Sequence, residues 1–408
     1  MKLCVIFVVL FVLCACQISR IIEVSPTASM VIMPTVSADV FVEKIEFETR
    51  KIQMPEQTEG ELLAFQIIKR VYEDEYTVAD YAWGFYDMEG NVVLEAQYDN
   101  AGNFYNGYAY FCNAPEKGEE EYDAGYVNAK GEAVFFRQKA DEVALSLTEE
   151  NGKLYQEFIK VKTPGAKFDF SDEWDGCSDY YLINYQSEKL IVNKSGDILL
   201  RNWRRVYDAG NNCIVVSIEL CQNILLDLST GGKTELELRN LELVNVSPSE
   251  KLILVFDPDS CSYGYVDYAG NMVIPTIYED AGAFSCGLAP VYDEFGWSYI
   301  DSKGNKAFAQ SYSWAFEFSQ DLALVSDETV EEFYLIDKKG NMIGTRGYDY
   351  SDLTYDILPP TVFPYVDFYF SGNYMSVPIP KSQQIAFIDR TGREIFRYQI
   401  YTGEVEKK

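Results

Sequence analysis

The amino-acid sequence predicts an all-β fold built from about eight short antiparallel repeat units. A hairpin phrase recurs along the chain, in which two or three aromatic or β-branched residues precede Asp-x-x-Gly, as in residues 263–271 and 298–305. The glycines of these phrases stand at positions 90, 131, 196, 231, 270, 304, 340 and 392, so most steps between them are 34 to 41 residues long. A period of that length is typical of repeat architectures.

Each phrase is predicted to form a β-hairpin. Aromatic and β-branched residues suit a pleated, half-buried surface, and an Asp at the first turn position accepts hydrogen bonds from the turn backbone. A Gly at the fourth position adopts positive φ without steric cost, as in a type I turn closed by a bulge. Calcium binding is disfavoured because the loops lack closely spaced oxygen ligands. The residues assigned to structural turns are Asp87, Gly90, Asp267, Gly270, Asp301, Gly304, Asp337, Gly340, Asp389 and Gly392.

A further segment follows the stronger hairpins, and residues 98–101 (Tyr-Asp-Asn-Ala) align with residues 278–281 (Tyr-Glu-Asp-Ala). The Phe and the Leu-Ala-x-Val run that follow are expected to fill the core and to start a strand, which gives about three strands per unit. Eight units favour a propeller-like ring, since radial repetition leaves only short edges. An open β-solenoid is the alternative. In a ring, residues 62–71 would complete the last unit by pairing near residues 394–401.

The phrase Trp-Gly-Phe-Tyr-Asp-x-x-Gly at residues 83–90 and the trailing Phe-Ser-x-Gly-Leu-Ala-x-Val at residues 284–291 resemble the WG repeat of bacterial surface and secreted proteins. The resemblance covers residues 62–400 and implies a repeat fold. It implies no activity, because that family is defined by its structure. Two departures are plain: Trp-Gly is reversed at residues 296–297, and residues 140–262 diverge from the pattern.

The composition restricts the classes of partner and of chemistry. A net charge of -30 excludes nucleic acid, which requires clustered Lys and Arg. Cations or basic peptides could be attracted, although a solvated acidic surface is the simpler interpretation. Histidine is absent, which removes Ser-His-Asp and Cys-His catalysis and every His-ligated zinc site. Phosphate-binding loops and strand-linked Gly-x-Gly-x-x-Gly are also absent.

We therefore predict a non-catalytic binding or interaction protein that uses no cofactor and no metal. The alternative is a glycan-active enzyme that works through carboxylates alone. With 64 acidic residues, pairs of carboxylates carry little information. The acidic segment 169–179 could still collect a cation, and the Tyr- and Pro-rich segment 345–384 could recognise carbohydrate or protein. An envelope protein or a glycan is the expected kind of partner.

The N-terminal residues predict a membrane anchor. Lys2 is followed by an apolar run from Cys4 to Leu13, which is too short to span a bilayer and is typical of a signal peptide. The sequence Leu-Cys-Ala-Cys at residues 13–16 resembles a bacterial lipobox, which implies cleavage after residue 15 and lipid attachment at Cys16. An ordinary secretory signal is the alternative. The expected location is the extracytoplasmic face of the cell membrane.

The predicted organisation has three parts. Residues 1–15 form the signal peptide, residues 16–60 an extended tether, and residues 61–408 the β-repeat domain, with insertions near 140–185 and 345–384. Six cysteines remain after processing, and they could form three disulfides or stay free in the core. They are Cys112, Cys177, Cys213, Cys221, Cys261 and Cys286.

Overall fold

The computed structural model describes residues 42–72, 78–114, 120–139, 141–169, 179–219, 222–326, 332–349, 373–379 and 382–407. The chain divides into two units, Met1–Val42 and Glu43–Lys408. In the described part of the second unit, 34 strands form nine antiparallel sheets. The predicted all-β, propeller-like ring is confirmed, with nine blades rather than eight. Most blades have four strands rather than the expected three.

Strands and blades are numbered in chain order, except that β1 (Phe47–Gln53) belongs to blade 3. Blade 1 contains β2 (Leu63–Tyr72), β3 (Val78–Tyr86) and β4 (Val92–Tyr98). Blade 2 contains β5 (Asn100–Ala101), β6 (Tyr108–Cys112), β7 (Glu121–Asn128) and β8 (Ala133–Lys139). Blade 3 contains β9 (Glu142–Ala144), β10 (Thr148–Glu150), β11 (Lys153–Val161) and β1.

The next three blades each have four strands in chain order. Blade 4 contains β12 (Ala166–Phe168), β13 (Tyr180–Tyr185), β14 (Glu188–Asn193) and β15 (Ile198–Arg201). Blade 5 contains β16 (Arg205–Gly210), β17 (Cys213–Glu219), β18 (Gln222–Asp227) and β19 (Lys233–Leu236). Blade 6 contains β20 (Glu242–Ser247), β21 (Leu252–Asp257), β22 (Ser262–Asp267) and β23 (Met272–Tyr278).

The last three blades complete the ring. Blade 7 contains β24 (Asp280–Ala281), β25 (Leu288–Asp293) and β26 (Gly296–Asp301). Blade 8 contains β27 (Trp314–Ala315), β28 (Leu322–Ser326), β29 (Glu332–Asp337) and β30 (Met342–Asp349). Blade 9 contains β31 (Tyr374–Ile379), β32 (Gln384–Asp389), β33 (Glu394–Gln399) and β34 (Val405–Lys407). The predicted insertion at 345–384 falls partly outside the described residues.

The region near residues 140–185, which was predicted to be an insertion, contains the strands β9, β10 and β11 of blade 3. Its hairpin has an Asn-Gly turn at residues 151–152, where both residues have positive φ (53° and 72°), instead of the Asp-x-x-Gly phrase. Both β9 and β10 pair with β11, and β1 pairs with β11 along its whole length. Blade 3 is therefore assembled from two parts of the chain that lie far apart in sequence.

The segment of residues 43–60 belongs to the folded ring, so the prediction of a tether over 16–60 is wrong for its last part. Ile45 N donates to Gly196 O in blade 4 at 2.8 Å. After β1, the Tyr108 hydroxyl of blade 2 donates to Pro55 O at 2.6 Å. The segment thus contacts blades 4, 3 and 2 before it enters blade 1.

Contacts between blades repeat around the ring and continue across the junction of its ends. The turn glycine of one blade packs against the last strand of the preceding blade, as Gly304 does against Ile274. In the same way Gly90 of blade 1 packs against Val405 of blade 9. This equivalence makes the first and last blades neighbours.

The junction also corrects one predicted strand pairing. Residues 63–72 form β2, which pairs with β3 of its own blade rather than with blade 9, and β34 completes the last sheet. One backbone hydrogen bond still joins the two blades, from Ile68 N to Ile400 O at 2.7 Å. Buried aromatic side chains fill the space between them, and Phe65 and Phe396 belong to one core cluster.

Candidate interaction surface at the mouth of the ring

In blades 2 and 4 to 8 the first strand is followed by the two strands that lead into the turn, and we call it the inner strand. Strands β16 and β20, the first strands of neighbouring blades 5 and 6, pack against each other. Blades radiate around a central channel in such rings, so these first strands line its rim. Because strands alternate in direction, the Asp-x-x-Gly turns lie at one end of the blades. We call this the turn end, and the opposite end, where the two strands that precede the turn join each other, the mouth end.

The strand register identifies an equivalent residue on six inner strands. In blade 7, Asp280 pairs with the fifth residue of β25, and in blade 8, Trp314 pairs with the fifth residue of β28. The same pairing recurs in blades 2, 4, 5 and 6. All six residues are exposed near the mouth end, and we call them the mouth residues. They are Asn100, Lys167, Arg205, Glu242, Asp280 and Trp314.

The charges of the mouth residues are divided between two sides of the rim. Lys167 and Arg205 belong to the adjacent blades 4 and 5, whereas Glu242 and Asp280 belong to the adjacent blades 6 and 7. Asp280 is an exposed residue, yet the protein around its carboxyl group removes water and raises the pKa of that group. The rim therefore has a basic side and an acidic side, and Trp314 follows the acidic side in blade 8.

Two exposed aromatic side chains lie at the mouth end of blades 7 and 8. Phe295, in the turn between β25 and β26, is 70% exposed, and Trp314 is 49% exposed. Trp297 and Tyr312 exchange two backbone hydrogen bonds of 2.9 and 2.8 Å. Since Phe295 precedes Trp297 by two residues and Trp314 follows Tyr312 by two, this pairing brings both exposed rings to one part of the rim.

A lysine already contacts one of these rings. The Lys306 ammonium lies 5.8 Å from the centroid of the Phe295 ring. It also lies 3.5 Å from Asp293 Oδ2. The ammonium is therefore held between an exposed aromatic ring and a carboxylate, an arrangement that attracts cations through both the ring quadrupole and the negative charge.

A second carboxylate lies between blades 7 and 8. Glu317 Oε1 accepts a hydrogen bond from Ala283 N at 2.7 Å, and burial raises the pKa of the Glu317 carboxyl. Burial also raises the pKa of the Tyr265 hydroxyl, and Glu317 and Asp280 raise it further through their charges. Both carboxylates thus lie close enough to one phenol to influence its ionisation.

The turn residues singled out in the sequence lie at the turn end. Asp301 Oδ1 accepts from Lys303 N and Asn305 N, both at 2.9 Å, and Oδ2 accepts from Asn305 Nδ2 at 3.0 Å. Hydrogen bonds from Asn305 therefore lower the pKa of Asp301. Gly304 has a φ of 81°. Equivalent turns contain Asp87 and Gly90, Asp267 and Gly270, Asp337 and Gly340, and Asp389 and Gly392.

These turns leave their carboxylates committed to their own backbone, so they offer little to a metal ion. Within the described ranges, three or more acidic or cysteine side chains nowhere converge as metal ligands would. The acidic segment 169–179 lies outside those ranges except for its two ends. At one end Asp169 Oδ2 lies 3.0 Å from Lys189 Nζ. The cation considered for this segment remains a hypothesis.

Four of the six cysteines have free thiols: Cys112, Cys213, Cys261 and Cys286. Cys177 and Cys221 lie outside the described residues, as does Cys16. The alternative of three disulfides is therefore wrong, because four of its six members are unpaired. No helix in the described residues has the length and apolar character needed to cross a membrane.

Comparison with known proteins agrees with this architecture. The family described as WG containing repeat matches at three places, residues 83–113, 263–293 and 297–328. These places fall in blades 1 and 2 and in blades 6 to 8, so the chain is a propeller-like ring that carries WG-type repeats. No curated protein matches the chain.

One solved structure resembles this chain in fold at a TM-score of 0.50, and two others match with lower scores. A eukaryotic initiation factor is 10% identical, with a TM-score of 0.50 over 86% of this chain and 98% of its own. Hsv2 of Kluyveromyces lactis is 10% identical, with a TM-score of 0.33 over 69% of this chain and 99% of its own. Apo AztD of Citrobacter koseri is 13% identical, with a TM-score of 0.28 over 70% of this chain and 93% of its own.

Proposed function

We propose that this chain is a membrane-anchored extracytoplasmic lipoprotein whose ring binds a partner at its mouth end without catalysing a reaction. The observation that carries the binding proposal is the contrast between two kinds of repeat position. The turns of eight blades keep Asp or Asn followed by Gly, whereas the six mouth residues are Asn, Lys, Arg, Glu, Asp and Trp. A scaffold needs constant turns, whereas different side chains at equivalent exposed positions provide a surface that can recognise a partner.

The anchor is proposed from the order of the N-terminal parts. A positive start, an apolar run, Leu-Cys-Ala-Cys and a polar segment lead into the ring. Two acyl chains hold a membrane stably, because each buried CH₂ contributes about 0.8 kcal/mol, whereas one chain of myristate length holds only weakly. A diacylglycerol on Cys16 would supply the two chains. The tether is then residues 16–42, which is shorter than predicted because residues 43–60 belong to the ring.

Two experiments test the two parts of this proposal. The full chain and a Cys16→Ser variant are expressed in a bacterial host and partitioned in a detergent that separates into two phases. The wild type should enter the detergent phase. The variant should stay unprocessed and carry no acyl group. An acylated, processed Cys16→Ser protein would place the anchor elsewhere.

For the binding part, the full chain captures partners from a cell-envelope extract. A variant with Asp280→Asn and Trp314→Ala should lose the captured protein, and a matched variant with Glu89→Gln and Tyr105→Ala should keep it. Glu89 and Tyr105 are exposed but lie at the turn end. Equal capture by both variants would show that the partner binds away from the mouth.

A carboxylate-dependent glycan-active enzyme is the second candidate, and one observation favours it. Asp280 and Glu317 both have raised pKa values and both influence Tyr265, and a raised pKa is what a general acid needs. Release of reducing sugars from cell-wall glycan, abolished by Glu317→Gln, would support the enzyme. Absence of hydrolysis in the wild type favours the binding protein, and hydrolysis that persists in Glu317→Gln would exclude Glu317 as the general acid.

A further inference from the structure

We infer that the acidic and aromatic part of the rim, formed by Asp280 and Trp314, binds a lysine- or arginine-bearing segment of a partner protein. This inference rests on the proposed binding function and specifies the chemistry of its partner. We call these two residues the cation sector.

The exposed rings provide the first part of the argument. Many of the described aromatic side chains fill the core, where Tyr265 and Tyr299 are fully buried, and Tyr105 and Phe135 are exposed elsewhere. Phe295 and Trp314 instead leave most or about half of their surface to solvent, at 70% and 49% exposure. Tryptophan is the best aromatic acceptor for an ammonium or guanidinium group. An exposed Trp beside an acidic rim therefore suits a cationic ligand better than a neutral apolar one.

The equivalence of Asp280 and Trp314 provides the second part. They occupy the same register position on the inner strands of adjacent blades. A cationic side chain at this part of the rim could approach the Asp280 carboxylate on one blade and the Trp314 ring on the next. The carboxylate of Asp280 is partly desolvated, and a cation would restore the stabilisation that water no longer supplies.

Lys306 provides the third part, because it shows the same chemistry within the chain. Its ammonium group lies 5.8 Å from the Phe295 centroid and 3.5 Å from Asp293 Oδ2. One cation is thus already held between a ring and a carboxylate in blade 7. The partner's lysine or arginine would repeat this arrangement at Trp314 and Asp280.

Charge complementarity selects the occupant and its position. The chain has a net charge of -30, which attracts a basic segment from a distance. On the rim itself, Glu242 and Asp280 attract such a segment, whereas Lys167 and Arg205 repel it. A basic segment would therefore be confined to blades 6 to 8, which include the WG-type repeats at 263–293 and 297–328.

The experiment measures binding of a fluorescent peptide to the full-length chain in detergent micelles by anisotropy. The peptide alternates glycine and lysine, and a second peptide of glycine and glutamate serves as the control. Trp314→Ala and Asp280→Asn should each weaken binding of the lysine peptide about tenfold, the effect of losing 1–2 kcal/mol of cation–π or charge interaction. Tyr105→Ala and Glu89→Gln are matched controls that change the same chemistry at the turn end, and each should change the affinity less than twofold.

Three results would overturn the inference. Equal losses in Asp280→Asn and Glu89→Gln would mean that only the net charge attracts the peptide. Equal binding of the glutamate peptide would exclude charge selection. The third result is a wild type that does not bind the lysine peptide at low salt. If that chain still captures an envelope protein, only the cation inference fails, and the binding proposal stands.

Discussion

Substitution of Arg50 by alanine should release the N-terminal strand from blade 3. Arg50 in β1 donates from Nε and Nη2 to the two carboxylate oxygens of Glu142, at 2.8 and 2.5 Å. Its guanidinium also lies 4.7 Å from the centroid of the Phe158 ring. Burial alone would raise the pKa of Glu142, but hydrogen bonds from Arg50 and from Lys139 N lower it below its usual value.

The magnitude follows from the burial of the two partners. The Glu142 side chain is only 5% exposed and the Arg50 side chain is 35% exposed. Removing one member of a fully buried ion pair costs about 3–5 kcal/mol. Because water reaches part of Arg50, we reduce this to about 2–3 kcal/mol, and the lost cation–π contact adds about 1 kcal/mol. Arg50→Ala should therefore lower the free energy of unfolding by about 3 kcal/mol.

Urea unfolding and hydrogen exchange of the β1 amides measure this effect, since local release lowers protection in that strand first. Lys51→Ala is the control, because Lys51 pairs with Glu150 and Glu157 at the surface of the same strand and should change little. A free energy of unfolding that is equal in the two variants, with protection of β1 unchanged, would refute the assigned role of the pair.

Three further predictions concern the blades. Gly264→Ala should lower the free energy of unfolding by about 2 kcal/mol, because the new Cβ would lie 2.7 Å from Ile274 O. Urea unfolding measures this change. Gly102→Ala is the neutral control, because the atom nearest to its new Cβ is 3.7 Å away. Stability should fall as the pH drops below about 4, because Asp301 has a lowered pKa and loses its turn hydrogen bonds on protonation; thermal unfolding from pH 7 to 3 measures it, and an unchanged midpoint would contradict it. Burial raises the pKa of the Glu317 carboxyl, so the ionised carboxyl destabilises the fold at neutral pH. Glu317→Gln removes this charge and should therefore stabilise the protein at neutral pH. The gain should vanish at acid pH, where the carboxyl is protonated.

The repeat itself could be predicted from sequence because its signals are local. An Asp, a Gly three residues later and the flanking β-branched residues specify each hairpin without reference to the rest of the chain. Blade 3 was not predicted because its turn is Asn151-Gly152, a hairpin signal of another type. Its partner strand β1 starts at Phe47, far from β11 in sequence. Pairing between such distant segments leaves no periodic signal, so blade 3 and the place of residues 43–60 in the ring required the structure.

The residues of the candidate site could be predicted from the sequence only in part. The alignment of residues 98–101 with residues 278–281 already put Asn100 and Asp280 in one column. Nothing in that column shows which residues face the axis, because exposure at the mouth depends on the closure of the ring. Trp314 lies outside that alignment, and only the pairing of β27 with β28 places it opposite the fifth residue of β28.

The closure of the ring is the claim on which the mouth, the cation sector and the proposed function all depend. It can be tested by the distance between spin labels at Lys69→Cys and Tyr401→Cys, in a chain whose native cysteines after Cys16 are replaced by serine. Both positions are exposed and adjoin the hydrogen bond between Ile68 and Ile400. The ring predicts a label separation below about 20 Å, since neighbouring strands lie roughly 5 Å apart. A separation well above about 25 Å would mean that blades 1 and 9 do not meet, and the account would be contradicted.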